Sequence, residues 1–188
     1  EHRDFEDYFS TKLKLFAQSE TAYINTDCDF AARIAEAAGA SGRVVTFGQN
    51  EQADFYGYNV RKEEGEIRFR VRCAQFDVPF ALTMPGLFNV ENALAAIAVC
   101  TERGIPLSAM QKGLYKARSS GRMETHISED GKKIAIVDYA HNKLSFEKLF
   151  SAMRTEYPGW HIFAVYGCPG GKAYNRRVEL GEIAGKYS

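Results

Sequence analysis

Gly121-Arg122-Met123-Glu124 and the later segment 134–141, Ile-Ala-Ile-Val-Asp-Tyr-Ala-His, decide how the last third of this chain folds. The glycine corner carries a cation, and the apolar strand that follows it ends in an acid, a phenol and an imidazole. Polar side chains at the carboxyl end of a buried strand face a crevice rather than a core. These residues therefore predict a ligand site at the edge of a sheet.

Strands and helices alternate around this site, which predicts an α/β fold with a parallel, doubly wound sheet. The predicted elements are a strand at 134–138, a helix at about 143–156, a strand at 161–166, a glycine-rich loop at 167–171 and a helix from about 176. A different pattern of elements precedes the glycine corner. We therefore place a domain boundary near residue 120.

The first part of the chain also predicts strand–loop–helix units. Its elements are a helix at 5–16, a strand at 22–25, a loop at 26–29 that could cap the next helix, that helix at 30–38, and a parallel strand at 43–48. Two further helices are predicted at 89–100 and at 107–117, the second with Ser108 as its cap.

Residues 55–80 alternate polar and apolar side chains, which predicts antiparallel strands with one wet face and a turn at 63–66. Arginines recur on the polar positions, at Arg68, Arg70 and Arg72. They could form an anion-binding stripe or simply the solvated face of the sheet. The pattern favours the solvated face.

Composition excludes several classes of protein. The 188 residues are 45% hydrophobic, and 24 lysines and arginines balance 24 aspartates and glutamates, so no overall field favours nucleic acid or an anionic membrane. The four cysteines are far apart, which argues against a zinc site and against a disulfide framework. Because we find no secretory segment and no apolar run of about 20 residues, we expect a cytoplasmic protein.

Several residues are candidates for binding on chemical grounds. The glycine-rich loop that follows residue 166 carries backbone amides and cations that could hold a phosphate or carboxylate, or it could be an ordinary connection. Asp138 could accept from ribose hydroxyls or a cation, or it could cap the helix near Lys143. His141 could be a base, a donor to a ligand or a loop residue. Lys12, on its helix, reads as a surface lysine.

Several separated stretches together resemble successive motifs of the ATP-dependent Mur ligases, in particular the members that add the third residue of the peptidoglycan stem peptide. The stretches are Gly86 to Ala96, Gly121 to Glu124, Val137 to His141 and Gly167 to Gly170. The opening segment, Glu1 to Lys12, resembles the family segment after its metal-binding Asp-His. Ile24 to Asp29 resembles the family's Asn-x-Asp-Asp turn, with Cys28 in place of the commoner acid.

The resemblance implies a role for seven residues. Lys12 would be the lysine that these enzymes carbamylate, which turns a cation into an anionic oxygen ligand for Mg²⁺. Asn89 and Asn92 would lie near the adenine of ATP. Further along the chain, the implied roles are phosphate or ribose contact for Arg122, ribose binding for Asp138, a place beside the nucleotide for His141, and contact with the carboxylate of the incoming amino acid for Lys172.

The implied reaction is amide formation. ATP would phosphorylate the D-glutamyl carboxylate of UDP-MurNAc-L-Ala-D-Glu, and L-lysine or a diamino acid would attack the acyl phosphate. Residues 1–120 would be the C-terminal part of the mononucleotide-binding central domain, and residues 121–188 the N-terminal part of a Rossmann-like C-terminal domain. The alternatives are another ligase of the superfamily, such as a folylpolyglutamate synthetase, and a homologue that binds nucleotide without catalysis.

Several family motifs do not occur within the 188 residues. They are the Gly-Thr-x-Gly-Lys-Thr phosphate loop, the metal-binding Asp-His, the N-terminal UDP-binding domain and the Asp-Asn-Pro motif that selects the amino acid. We therefore expect this chain to be a piece of a longer protein. We also expect that it does not turn over ATP by itself.

Overall fold

The structure is a computed structural model that describes residues 3–40, 42–168, 170 and 174–188. The chain divides into two compact units, the first formed by residues up to Thr83 with Asn89–Ala117, and the second by Met84–Phe88 with Arg118–Ser188. Both units combine helices with strands, so the predicted α/β class is confirmed. In the described part of the chain, no helix is long and apolar enough to cross a membrane.

The first unit is built on a five-stranded sheet in the order β1-β2-β3-β4-β5. β1 pairs with β2 and β2 with β3 in parallel, whereas β3, β4 and β5 are antiparallel neighbours. The sheet therefore changes from parallel to antiparallel at β3, as the change in sequence pattern predicts. Its elements are α1 (Phe5–Ala17), β1 (Thr21–Asn25), α2 (Ala31–Gly39), β2 (Arg43–Gly48), β3 (Phe55–Glu63), β4 (Glu66–Arg72), β5 (Asp77–Leu82), α3 (Asn89–Glu102) and α4 (Leu107–Lys116).

The alanine-rich helix α3 lies in the main core of the first unit. Val90, Leu94 and Ala98 of this helix are fully buried in one cluster with the inward face of the sheet. Gly57 in β3 leaves the space that Leu94 fills, because a Cβ at this position would lie 2.6 Å from Leu94 Cδ1. Small residues thus let the helix and the sheet approach closely.

Two predicted helix caps are wrong. The loop 26–29 does not cap α2, whose N-cap is Phe30 without a side-chain hydrogen bond. The Asp27 carboxylate instead accepts from the backbone N–H of Gln49 at 2.8 Å, because that amide lies across from it at the end of β2. Ser108 does not cap α4 either, because Pro106 is the N-cap residue and Ser108 lies inside the first turn of the helix.

In the second unit, the residues that the structure describes form two strands and two helices. β6 (Glu124–Ile127) and β7 (Ile134–Val137) form an antiparallel pair, and α5 (Lys143–Glu156) packs on α6 (Asn175–Tyr187). Phe146, Phe150 and Leu180 are the centre of the core between these helices.

The predicted strand at 161–166 is wrong, since these residues make no strand pairing in the structure. Ile162 and Ala164 pack against the α5–α6 core. Phe163 and Val165 point outwards and are 84% and 98% exposed. The alternation of buried and exposed side chains, which predicts a strand, therefore arises here from packing on two helices. It does not require hydrogen bonds to β7.

Replacing Leu94 by alanine should lower the free energy of unfolding by about 2–5 kcal/mol, because the change leaves a cavity beneath α3. The matched control is Leu15→Ala, since Leu15 lies on α1 with 66% of its surface exposed. That variant should lose no more than about 0.5 kcal/mol. Urea unfolding followed by circular dichroism measures both changes, and equal losses would contradict the assignment of Leu94 to the core.

Candidate functional site

The corner at Gly121–Glu124 is closed by its own hydrogen bonds. Glu124 Oε2 accepts from the Gly121 backbone N–H at 2.9 Å and from the Ser120 hydroxyl at 3.2 Å. Gly121 has a φ of 66° and Met123 a φ of 50°, so the chain turns sharply on both sides of Arg122. The Met123 side chain is 3% exposed and anchors the corner. Arg122 is therefore held between two neighbours, Gly121 and Met123, whose backbones are fixed.

Asp138 joins this corner to the turn after β7. Its Oδ2 accepts from the backbone N–H of Met123 at 2.9 Å, and its Oδ1 accepts from the backbone N–H of Ala140 at 2.8 Å. A single carboxylate thus fixes two backbone segments that are distant in sequence. Asp138 directly follows β7, at the position where the sequence predicts a ligand site.

Asp138 does not cap α5, so that alternative reading is wrong. The N-cap of α5 is Asn142, whose side chain accepts from the Ser145 backbone N–H at 2.9 Å. Ser145 Oγ in turn accepts from the Asn142 backbone N–H at 3.1 Å, which completes a capping box. The Asn-x-x-Ser spacing at residues 142–145 is a sequence signal for this cap. The prediction that Asp138 caps the helix does not take it into account.

Arg122, Tyr139 and His141 form a row of side chains beside Asp138. The Arg122 guanidinium carbon lies 4.7 Å from the centroid of the Tyr139 ring. The Tyr139 and His141 rings lie 4.8 Å apart, and His141 Nδ1 is 2.9 Å from the Tyr139 carbonyl oxygen. The structure therefore brings three of the predicted site residues together, namely Arg122, Asp138 and His141. It adds Tyr139 between them.

Hydrogen bonds stabilise the charged form of Glu124. The Gly121 N–H, followed by the Ser120 hydroxyl, holds the pKa of Glu124 below its ordinary value. His126 Nε2 lies 3.1 Å from Glu124 Oε1 and favours the same charged form. Because Glu124 is deprotonated at neutral pH, it accepts both bonds that close the corner.

In the first unit, the start of α3 lies beside the ends of the parallel strands. Asn89 is 4% exposed, and Asn92 Nδ2 donates to Asn89 Oδ1 at 3.0 Å. Asn25, at the end of β1, donates from Nδ2 to Glu91 Oε2 at 3.3 Å and accepts the Asp27 N–H at 2.9 Å. The structure thus brings Asn89 and Asn92 together at the carboxyl edge of the sheet, where open α/β sheets bind ligands.

Lys12 lies on the exposed surface of α1. Its ammonium nitrogen is 5.5 Å from the centroid of the Tyr8 ring. Among the residues that the structure describes, no group of three or more His, Cys, Asp or Glu side chains could hold a metal ion. Within the described part of the chain, Lys12 is therefore not part of such a group. Lys172, the remaining predicted residue, lies outside the described residues.

The arginines of β4 pack as a solvated sheet face, as the sequence pattern favours. Arg68 pairs with Glu66 at 2.9 Å, and Arg70 pairs with Asp77 at 2.9 Å. The Arg72 guanidinium lies 5.1 Å from the centroid of the Tyr56 ring. Since each arginine has a protein partner on this face, the arrangement gives no support to an anion-binding stripe.

Two family models match the chain. Residues 1–100 match the Mur ligase middle domain, and residues 121–188 match the Mur ligase glutamate ligase domain. The UDP-N-acetylmuramoyl-L-alanyl-D-glutamate--2,6-diaminopimelate ligase of Caldanaerobacter subterraneus subsp. tengcongensis is 32% identical over all of this chain and 38% of its own length. The corresponding L-lysine ligase of Streptococcus mutans is 32% identical over 97% of this chain and 36% of its own length.

Solved structures share the fold. The structure of a UDP-N-acetylmuramoyl-L-alanyl-D-glutamate--2,6-diaminopimelate ligase matches all of this chain over 39% of the ligase chain. The TM-score of this match is 0.68, and the sequence identity is 24%. The folylpolyglutamate synthetase of Lactobacillus casei matches all of this chain and 47% of its own with a TM-score of 0.73 and 14% identity. At these identities the likeness concerns the fold alone. The chain spans less than two fifths of the length of the curated relatives named above.

Replacing Asp138 by asparagine should speed amide hydrogen exchange at Met123 and Ala140. The new side chain keeps one acceptor oxygen and turns an NH₂ donor towards the other amide, so the local opening free energy should fall by about 1–3 kcal/mol. Asp29→Asn, the same chemical change on an exposed loop of the first unit, is the control. Unchanged exchange at both amides in the Asp138 variant would contradict the assigned hydrogen bonds.

The carboxyl of Glu124 should titrate below the ordinary glutamate pKa, which is about 4.3. Because the folded-state pKa is lowered, its contribution to stability is present above the ordinary pKa and is lost as the pH falls through the lowered value. Carbon-13 NMR titration measures the midpoint. Ser120→Ala should raise the midpoint, and Ser151→Ala on the exposed face of α5 should leave it unchanged. An ordinary midpoint for Glu124 would refute the closed corner.

Proposed function

Since the chain belongs to the Mur ligase family, we propose that it is part of an ATP-dependent ligase of peptidoglycan synthesis. The ligase adds L-lysine or a diamino acid to UDP-MurNAc-L-Ala-D-Glu. One observation carries the proposal, namely that relatives named for this reaction align with almost the whole chain at 32% identity. The geometry supports it, because polar side chains lie at the carboxyl end of β1 in the first unit and of β7 in the second.

In the proposed reaction, an oxygen of the D-glutamyl carboxylate attacks the γ-phosphorus of ATP, and the bond to the ADP oxygen breaks. The amine of the incoming amino acid then attacks the acyl phosphate, inorganic phosphate leaves with the electron pair, and the amine loses a proton. Negative charge develops on the transferred phosphoryl group and requires fixed cations. Arg122 is the proposed cation on this chain, because it lies at a corner whose backbone is fixed on both sides.

Asp138 and His141 are proposed to bind the nucleoside side of ATP. A carboxylate has about four lone-pair sites, and two of those on Asp138 accept the Met123 and Ala140 amides. Two sites therefore remain for ribose hydroxyls. His141 is proposed to lie beside the nucleotide, and Asn89 and Asn92 in the first unit are proposed to lie near the adenine.

Lys12 is proposed to become a carbamate that supplies an oxygen ligand to Mg²⁺, which prefers oxygen. The described residues fit this ion only in part, because no carboxylate cluster that could complete its ligands occurs among them. The bound metal would neutralise charge on the phosphates of ATP. Lys172 is proposed to contact the carboxylate of the incoming amino acid.

The test uses the full-length protein that contains this chain. It should form UDP-MurNAc-tripeptide from UDP-MurNAc-L-Ala-D-Glu, ATP and either L-lysine or 2,6-diaminopimelate, as followed by mass spectrometry of the product. Arg122→Ala should lower kcat about 100-fold or more, since it removes a donor to developing charge. Arg72→Ala, which removes an arginine from the face of β4, should retain activity.

Further arms of this experiment separate the alternatives. The present chain alone should release no ADP, since its sequence contains no Gly-Thr-x-Gly-Lys-Thr loop. A carbamate on Lys12 should appear as a ¹³C signal in ¹³C-bicarbonate that is absent from Lys12→Ala. Turnover of a folate with glutamate, or nucleotide binding without any amide product, would overturn the proposed function.

A further inference from the structure

Tyr139 carries no assigned role in the proposed reaction, yet it contacts two residues that do. Its ring lies under the Arg122 guanidinium, at 4.7 Å, and beside the His141 ring, at 4.8 Å. Its neighbour Asp138 holds the backbone of Met123, which directly follows Arg122. Tyr139 and Arg122 are therefore brought together by the pairing of Glu124 with Val137 and by the hydrogen bond from the Met123 amide to the Asp138 carboxylate, rather than by chance proximity of two surface side chains.

The backbone at Arg122 is fixed, but its side chain has several rotatable bonds. Gly121 is tied to Glu124, and the amide of Met123 is tied to Asp138, so the Cα of Arg122 has a defined position. Arg122 itself is exposed, and an exposed arginine side chain samples many rotamers. A guanidinium over an aromatic face is attracted by the negative charge of that face. The ring can thus restrict the guanidinium where the backbone cannot.

The Tyr139 ring is suited to this task because of its own attachments. It is 61% exposed, so burial does not fix it. Its carbonyl oxygen lies 2.9 Å from His141 Nδ1, and the Ala140 amide that follows it donates to Asp138. The ring is therefore carried by a short turn with hydrogen bonds on both sides. The turn fixes the point from which the ring projects, and the His141 ring, with its centroid 4.8 Å away, limits the orientations in which the Tyr139 ring can face the cation.

We propose that Tyr139 is a positioning residue that holds the Arg122 guanidinium over its ring, so that the N–H donors of Arg122 are preset for a phosphate group. This inference rests on the proposed function, because it assigns Tyr139 a place in the same nucleotide site. The ring acts through Arg122 and makes no contact of its own with the reacting atoms. The aromatic face of Tyr139 carries this role, and the hydroxyl has no part in it.

Substitutions at Tyr139 separate the ring from the hydroxyl in the full-length enzyme. Tyr139→Leu should lower kcat/KM for ATP about 2- to 5-fold, the equivalent of one exposed cation–aromatic contact. Tyr139→Phe should recover most of this loss, since it keeps the ring. The control Tyr56→Leu removes the ring under Arg72 in the first unit and should leave kcat/KM unchanged. Equal losses in the Leu and Phe variants would overturn the proposal.

A double-mutant cycle tests whether Tyr139 acts through Arg122. In an Arg122→Ala background, Tyr139→Leu should cause no further loss of kcat/KM, because the ring no longer has a cation to hold. Losses that multiply would overturn the proposal, since they would mean that Tyr139 contacts the substrate directly. The Phe variant distinguishes this role from a purely structural one. If Tyr139 only supported the fold, Tyr139→Phe would not restore kcat/KM.

A second measurement does not depend on turnover. In ¹⁵N-arginine-labelled protein, the Arg122 Nε–H resonance should be shifted by the ring current of Tyr139, retained in Tyr139→Phe and lost in Tyr139→Leu. Arg122→Lys identifies the resonance. An Arg122 signal that is the same with leucine at position 139 would overturn the proposal even in an active enzyme. Conversely, a ring-shifted signal in a protein without ligase activity would overturn the proposed function and the kinetic role, while leaving the contact in place.

Discussion

The carboxylate of Asp138 is the constraint on which the site in the second unit depends. Its two oxygens accept one amide from the Gly121–Glu124 corner and one from the turn that follows β7. The pairing of Glu124 with Val137 brings the two loops side by side, and the Asp138 bonds fix the loop that carries Arg122 against the turn that carries Tyr139. A buried or half-buried backbone N–H that loses its partner costs about 1–3 kcal/mol, so the arrangement is favoured over alternatives that leave either amide unpaired.

In the first unit, as in the second, packed or hydrogen-bonded segments fix the positions of the candidate site residues. The inward face of the sheet and the buried face of α3 form a close-packed core, in which Leu94 fills the space left by the missing side chain of Gly57. The polar residues lie at the edge of that core, since Asn89 and Asn92 occupy the first turn of a helix whose next turn contributes the buried Ala93 and Leu94. Tight packing thus fixes the start of α3 and, with it, the positions of the two asparagines.

Much of this fold could be predicted from local sequence patterns. Period-two alternation predicts β3 and β4, and alanine-rich helical spacing predicts α3, because one face of each element is buried. The strand expected at 161–166 fails, since alternate side chains also suit packing on helices without strand pairing. Asp138 is predicted as a site residue, but its bond to Met123, 15 residues away, follows from tertiary structure that no local pattern encodes. The role of Lys172 stays a prediction.

A crystal structure of the full-length protein with a non-hydrolysable ATP analogue and UDP-MurNAc-L-Ala-D-Glu would test the proposed nucleotide site directly. We expect the Arg122 guanidinium to lie within hydrogen-bonding distance of a phosphate oxygen while it stays stacked on Tyr139. We also expect Asp138 to keep its bonds to the Met123 and Ala140 amides while it accepts from the ribose. A nucleotide bound away from Arg122, or an Asp138 that releases both amides on binding, would contradict this arrangement.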